Sequence, residues 1–153
     1  MARKTKLDLD EFLPYLINRV GVVLVGTFEA DPLGRHRLSV AMWRVLVGLS
    51  DNGEQRLVDL GAMTSIDVST LSRMVSRLAR LELVTRNRST TSEREVIVRL
   101  TAKGEKALNQ LIPIALQFEK ATIAHIPADD LIVVKRALRQ MHKNLAARAG
   151  KAG

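Results

Sequence analysis

Ser69, Thr70, Ser72, Arg73, Ser76 and Arg77 stand within nine residues, interrupted by Leu71, Met74 and Val75. Wound as a helix, Leu71, Val75, Leu78 and Leu81 take one face, and the hydroxyls and guanidiniums fall away from it. That polar face has the chemistry of nucleic-acid readout. Small hydroxyls let a helix approach base edges and phosphates, and an arginine can hold guanine through two hydrogen bonds. A second basic, hydroxyl-rich stretch follows at Arg86, Asn87, Arg88, Ser89, Thr90, Thr91, Ser92 and Arg94, and it suits phosphate or minor-groove contact. Residues 68–103 carry eight basic and three acidic side chains, so +5 of the net charge of +8 is concentrated there. The plain alternative is a solvated helix face and a solvated loop.

Other chemistries lack their residues. The 153-residue chain has no cysteine, which excludes a disulfide scaffold, a thiolate metal site and a cysteine redox sensor. His125 and His142 lack ligand spacing and no two histidines stand at i, i+4, so no metal is expected. No nucleophile–base pair, Gly-x-Ser-x-Gly elbow, phosphate loop or dinucleotide glycine pattern is present, so neither catalysis nor a cofactor is expected. With 46% hydrophobic and 26% charged residues the composition is globular and the length fits one domain. The positive balance favours an anionic partner, nucleic acid or a membrane surface, and also serves solubility. Asp8, Asp10 and Glu11 precede the first apolar run, unlike a signal peptide, and residues 20–26 are too few to span a bilayer. A cytoplasmic protein without a membrane partner is expected.

Periodicity gives the elements that would position these residues. A first helix is predicted over residues 9–29, where Phe12, Leu16, Val20, Val23, Leu24 and Phe28 recur at three- and four-residue spacing, with Pro14 tolerated in the opening turns. It stops at Asp31-Pro32-Leu33-Gly34. Ser39 caps a second helix over residues 40–49, which Ser50-Asp51-Asn52-Gly53 ends. Residues 57–63 and 68–81 form two more, separated by Thr64-Ser65-Ile66-Asp67, with Asp67 or Ser69 as the cap of the second. Residues 83–86 and 95–100 then read as strands of a hairpin. Thr101 caps a helix over residues 102–125 that Pro113 should kink, and Pro127, Asp129 and Asp130 open a last one with an apolar stripe at Leu131, Val134, Leu138, Met141 and Leu145. The tail after Ala149 is expected to be disordered. Two short helices, a tight turn and a hairpin make a winged helix-turn-helix, so the fold class is mainly α with a small β-hairpin wing.

Three blocks sharpen this reading: residues 68–78 (Val-Ser-Thr-Leu-Ser-Arg-Met-Val-Ser-Arg-Leu), residues 83–86 (Leu-Val-Thr-Arg) and residues 96–104 (Val-Ile-Val-Arg-Leu-Thr-Ala-Lys-Gly). In sequence and spacing they resemble the MarR family of winged-helix transcriptional regulators, and the likeness extends over nearly the whole chain. The resemblance implies a single domain over 1–153, with a dimerisation lobe (about 8–32 and 105–148) and a winged helix-turn-helix lobe (about 38–104). Long N- and C-terminal dimerisation helices would place a homodimer on a pseudo-palindromic operator in double-stranded DNA. DNA contacts are expected from Ser69, Thr70, Ser72, Arg73, Ser76 and Arg77 on the recognition helix and from Arg86, Arg88, Thr90 and Arg94 on the wing. The first and last helices are amphipathic with no third layer to cover them. In a dimer Leu9, Phe12, Leu13 and Ile17 would meet Ile114, Phe118, Ile123, Leu131, Val134 and Leu138; the alternative is a monomer with these stripes folded back. Two positions depart from the family pattern. Ser92-Glu93-Arg94 stands where Asp-x-Arg is usual, leaving the orientation of wing arginines to Glu93 or Glu95. Glu82 stands where glycine is favoured, although glutamate is ill suited to a left-handed helix end.

The resemblance further implies a site for a small, often aromatic, acid, walled by the first, second and fifth helices, whose occupation releases DNA. Those positions offer Tyr15, Arg19, Val22, Val23, His36, Arg37, Met42, Trp43, Leu46, Leu108 and Leu111. The single Trp43 and single Tyr15 give flat apolar wall, and Arg19, His36 or Arg37 could hold a carboxylate or the phosphates of an aryl coenzyme A thioester. Against this, Trp43 can be ordinary core, Tyr15 and Arg19 interface or surface, and His36 a surface histidine. The leading expectation is a ligand-responsive repressor. A ligand-independent or architectural DNA-binding protein, and a winged-helix module that binds protein, remain as alternatives.

Overall fold

The computed structural model describes residues 6–89 and 95–149. Pro14 decides where the first helix begins. Helix α1 runs Leu13–Ala30, with Phe12 extended as its N-cap residue and Pro14 in the first turn, where a missing amide donor costs nothing. Residues 9–12 are therefore a turn rather than helix, closed by the Phe12 amide on the Leu9 carbonyl at 3.2 Å. A 3-10 turn at Leu33–His36 leads to α2, Val40–Asn52, which outruns its expected end at 49 because Ser50, Asp51 and Asn52 stay helical and Gly53, at φ +73°, supplies the stop. Two side chains cap α2. Ser39 Oγ accepts from the Met42 amide at 3.2 Å, and Glu29 of α1 accepts from the Val40 amide at 2.8 Å.

The module that follows is β1 (Gln55–Arg56), α3 (Leu57–Thr64), α4 (Val68–Arg80), β2 (Val84–Arg88) and β3 (Val96–Leu100). The strands form an antiparallel sheet in the order β1-β3-β2, with Val98 opposite both Gln55 and Arg86. Strand β1 has no counterpart in the sequence reading, because two residues are too few for alternation to show. Leu46, Leu60, Leu71, Val75, Leu78 and Val98 are fully buried and form the centre of the core. Each such side chain contributes roughly 1.5–3 kcal/mol relative to exposure.

The turn after α4 is tightly tied. Glu82 adopts the left-handed conformation (φ +61°) that the sequence made unwelcome. Its carbonyl accepts from Thr101 Oγ1 at 2.7 Å and its carboxylate meets Lys103 Nζ at 2.6 Å, so two contacts offset the backbone cost. Lys103 accordingly holds the Glu82 carboxyl below its ordinary pKa. Thr101 Oγ1 also accepts from the Gly104 amide at 3.0 Å, the expected cap of α5, Ala102–Thr122. A Cβ at Gly104 would lie 2.2 Å from the Leu83 carbonyl oxygen, so only glycine lets α5 start this close to the strand.

The chain divides into two compact units, one up to Ile114 and one from Ala115 onward. Helix α1 belongs to the first, held there by Phe28 against Trp43. Helix α5 passes through Pro113 as one helix and ends at Thr122, short of 125, where His125 turns left-handed (φ +66°). In the second unit α6, Ala128–Ala149, contains no buried residue, and Ile132, Val133, Val134, Leu138 and Leu145 are exposed. The chain after 149 lies outside the described residues. Among the described residues no helix is long and apolar enough to cross a membrane.

Candidate nucleic-acid interface

Helix α4 begins on Asp67. Its carboxylate accepts from Ser69 Oγ at 2.6 Å and from the Thr70 amide at 2.9 Å. The Ser69 hydroxyl, then Thr70, hold the Asp67 carboxyl well below the usual carboxylate range. Leu71, Val75 and Leu78 face the core, and Ser69, Arg73 and Arg77 are exposed. Arg73 reaches Thr70 Oγ1 at 3.5 Å, the outer limit of a hydrogen bond. Arg77 donates to the Arg37 carbonyl at 3.3 Å.

Arg86 takes a role that its sequence position alone does not reveal. From β2 it donates to Ser76 Oγ at 2.9 Å and to Ser72 Oγ at 3.2 Å. The fork thus braces the wing strand on the recognition helix, and Ser72 and Ser76 serve as its seat. Ser76 Oγ in turn donates to the Ser72 carbonyl at 2.9 Å. Arg88, at the end of β2, is exposed and pairs with no carboxylate among the described residues; the same holds for Arg73, Arg77, Arg80 and Arg86. Thr90 and Arg94, like Ser92 and Glu93, lie outside the described residues.

Ion pairs sort the basic residues of the module. Arg99 pairs with Glu54 and Lys103 with Glu82, so each of these two charges already has a carboxylate beside it. Glu95 binds Arg56 at 3.2 Å, and Asp59 binds the same guanidinium at 2.7 Å. These carboxylates, Asp59 first, push the Arg56 pKa up. Among the described residues Glu95 therefore orients the base of the wing rather than a wing arginine. The sequence reading missed Arg56, although its i, i+3 spacing to Asp59 was a signal.

The expected effector residues scatter more. Met42 and Leu46 are core, with 2% and 0% exposure. Trp43 is half-buried, its ring packed edge-on against Phe28 at 5.3 Å and 80°. Its Nε1 is shielded from solvent and has no acceptor among the described residues. On α1, Tyr15 is half-buried, and Arg19 and Val23 are exposed. His36 and Arg37 instead line a cleft of about 510 Å³ in the first unit. Its other cations are Arg35, Lys103 and Lys106, with Leu81, Leu83, Ala107 and Gln110 completing the wall. Tyr15, Arg19, Val23 and Trp43 do not line it.

Comparison with known proteins agrees with this architecture. Residues 38–96 match the MarR family model. The chain is 30% identical over 140 residues to the HTH-type transcriptional repressor NicR of Pseudomonas putida, covering 90% of this chain and 86% of that protein. Among solved structures it is similar to Bordetella bronchiseptica BpsR, whose DNA binding is described as regulated by 6-hydroxynicotinic acid (25% identity, TM-score 0.77, 91% of this chain and 99% of that one). It is also similar to a MarR family transcriptional regulator from Silicibacter pomeroyi (29% identity, TM-score 0.77, 89% and 91%).

Proposed function

The chain belongs to the MarR family of DNA-binding transcriptional regulators, and on that premise we propose a homodimeric repressor that leaves a pseudo-palindromic operator when a small aromatic acid, or its coenzyme A thioester, binds. The observation that carries the DNA reading is the Arg86 fork on Ser72 and Ser76. It makes recognition helix and wing one rigid reading head, with Arg73 and Arg77 toward bases and Arg88 toward phosphate. Thr90 and Arg94 would extend the phosphate contacts along the wing. In the dimer two such heads enter successive major grooves about 34–36 Å apart. The exposed Leu9, Phe12, Leu13 and Ile17, and the exposed Val134 and Leu138, are apolar surface that a second copy would cover.

The effector reading rests on Trp43. A shielded donor without an acceptor costs about 1–3 kcal/mol, which an acid's carboxylate would recover by accepting from Nε1. Tyr15, Arg19 and Val23 of α1 would complete the site, with Met42 and Leu46 as the wall behind it. The description of BpsR as regulated by 6-hydroxynicotinic acid supports an aromatic acid as the ligand class. Titrating benzoate and nicotinate acids into a preformed protein–operator complex tests this. Release is expected for wild type and weakened release for Trp43→Ala and Arg19→Ala. Equal release from all three would overturn the site, and no release by any acid would favour a ligand-independent regulator.

A further inference from the structure

We propose that the basic cleft beside the α4–β2 turn binds a phosphate ester carrying a small apolar group. It takes Arg37, one of the residues expected to serve the effector, for a separate site, since Trp43, Tyr15 and Arg19 do not line this cleft. Arg35, Arg37, Lys103 and Lys106 bring four basic side chains to one cleft whose lining holds no carboxylate residue. Arg35 is matched by Asp31 and Lys103 by Glu82. Arg37 and Lys106 have no carboxylate partner among the described residues. Two unmatched charges fit a phosphate monoester, which carries close to two negative charges at neutral pH, whereas a carboxylate would satisfy only one.

The chemistry of the walls narrows the ligand further. Arginine offers phosphate a planar fork and lysine a compact charge. Below this rim Leu81, Leu83 and Ala107 present an apolar floor, against which the organic group of the ester would lie. The volume, about 510 Å³, is in the range of small-molecule sites. Lys103 can share its charge between Glu82 and the phosphate, so that ion pair need not break.

Calorimetric titration of the full chain with phenyl phosphate at pH 7.5 tests the proposal. Saturable binding is expected, at least tenfold tighter than inorganic phosphate, lost in Arg37→Ala and Lys106→Glu and retained in Lys106→Arg. Amide shifts on titration should centre on Leu81, Leu83 and Ala107. Absence of binding, equal binding by the two loss variants, or shifts centred elsewhere would overturn it, and equal affinity for inorganic phosphate would overturn the apolar floor's part. Benzoate titrated into Lys106→Glu reports on the Trp43 site separately, so failure of one reading leaves the other standing.

Discussion

Helices α4 and α6 carry the same kind of apolar stripe and meet opposite fates. In α4, Leu71, Val75 and Leu78 are completely buried within the chain. In the longer α6 no residue is buried, and Val134, Leu138 and Leu145 are 46%, 45% and 67% exposed. Amphipathic periodicity therefore predicts that a face will be covered without saying by what. The reading head gets its cover from its own chain, whereas α6 has none there and in the proposed dimer would be covered by a second copy. Stability of the first should be independent of protein concentration, while that of the second should depend on it.

The strongest way to break this comparison is Leu138→Glu. Placing a charge in the stripe should abolish the dimer, read as a fall from two-chain to one-chain mass in light scattering. Without the second half-site, operator affinity should come close to nonspecific binding, a fall of about 10³-fold or more. An unchanged mass would show that α6 is not the interface. Leu71→Ala probes the other side. It should cost about 2–5 kcal/mol by denaturant unfolding, as expected for a large-to-small change in a packed core, and leave the dimer mass unaltered.

Smaller effects divide the reading head itself. Arg73→Ala should lose roughly 1–3 kcal/mol of discrimination at one base pair per half-site. Arg88→Ala should weaken all sequences alike and lower the salt slope by about 0.9 for each phosphate that is no longer neutralised. Arg86→Ala should behave like neither. Removing the fork loosens the wing from α4, so specific and nonspecific binding both fall, and amide exchange at β2 rises. Competition binding on operator and scrambled duplexes across a salt series separates the three patterns.

How much of this was legible depends on the range of the interactions. The helices, the caps at Ser39 and Thr101 and the hairpin are local, and the sequence displays them through spacing and residue type. Asp67 and Ser69 both looked like caps; in the structure Asp67 caps and Ser69 serves Asp67. Arg86 on Ser72 and Ser76, Glu95 on Arg56 and Glu29 on the α2 amide connect residues 10–39 positions apart. No local pattern encodes such pairings. Helix position nominates the effector residues but does not show that Met42 and Leu46 face the core or that His36 and Arg37 line a cleft without Trp43.

The finest test of the self-sufficiency of α4 uses its cap. The folded-state pKa of Asp67 is depressed, and the ordinary value is 3.8. A carboxylate with a depressed pKa stabilises the fold fully above its unfolded pKa, and that contribution disappears as pH falls toward the folded value. Asp67→Asn keeps an oxygen that accepts from the Thr70 amide and from Ser69 Oγ but cannot titrate. Wild type should therefore melt above Asp67→Asn by a constant margin from neutral pH down to about pH 5, and the margin should close below about pH 4. Because these hydrogen bonds lie within one short stretch of one chain, the margin should be the same at protein concentrations tenfold apart. A margin that shifts with concentration would mean that α4 also draws stability from a second copy, and the contrast with α6 would then be one of degree.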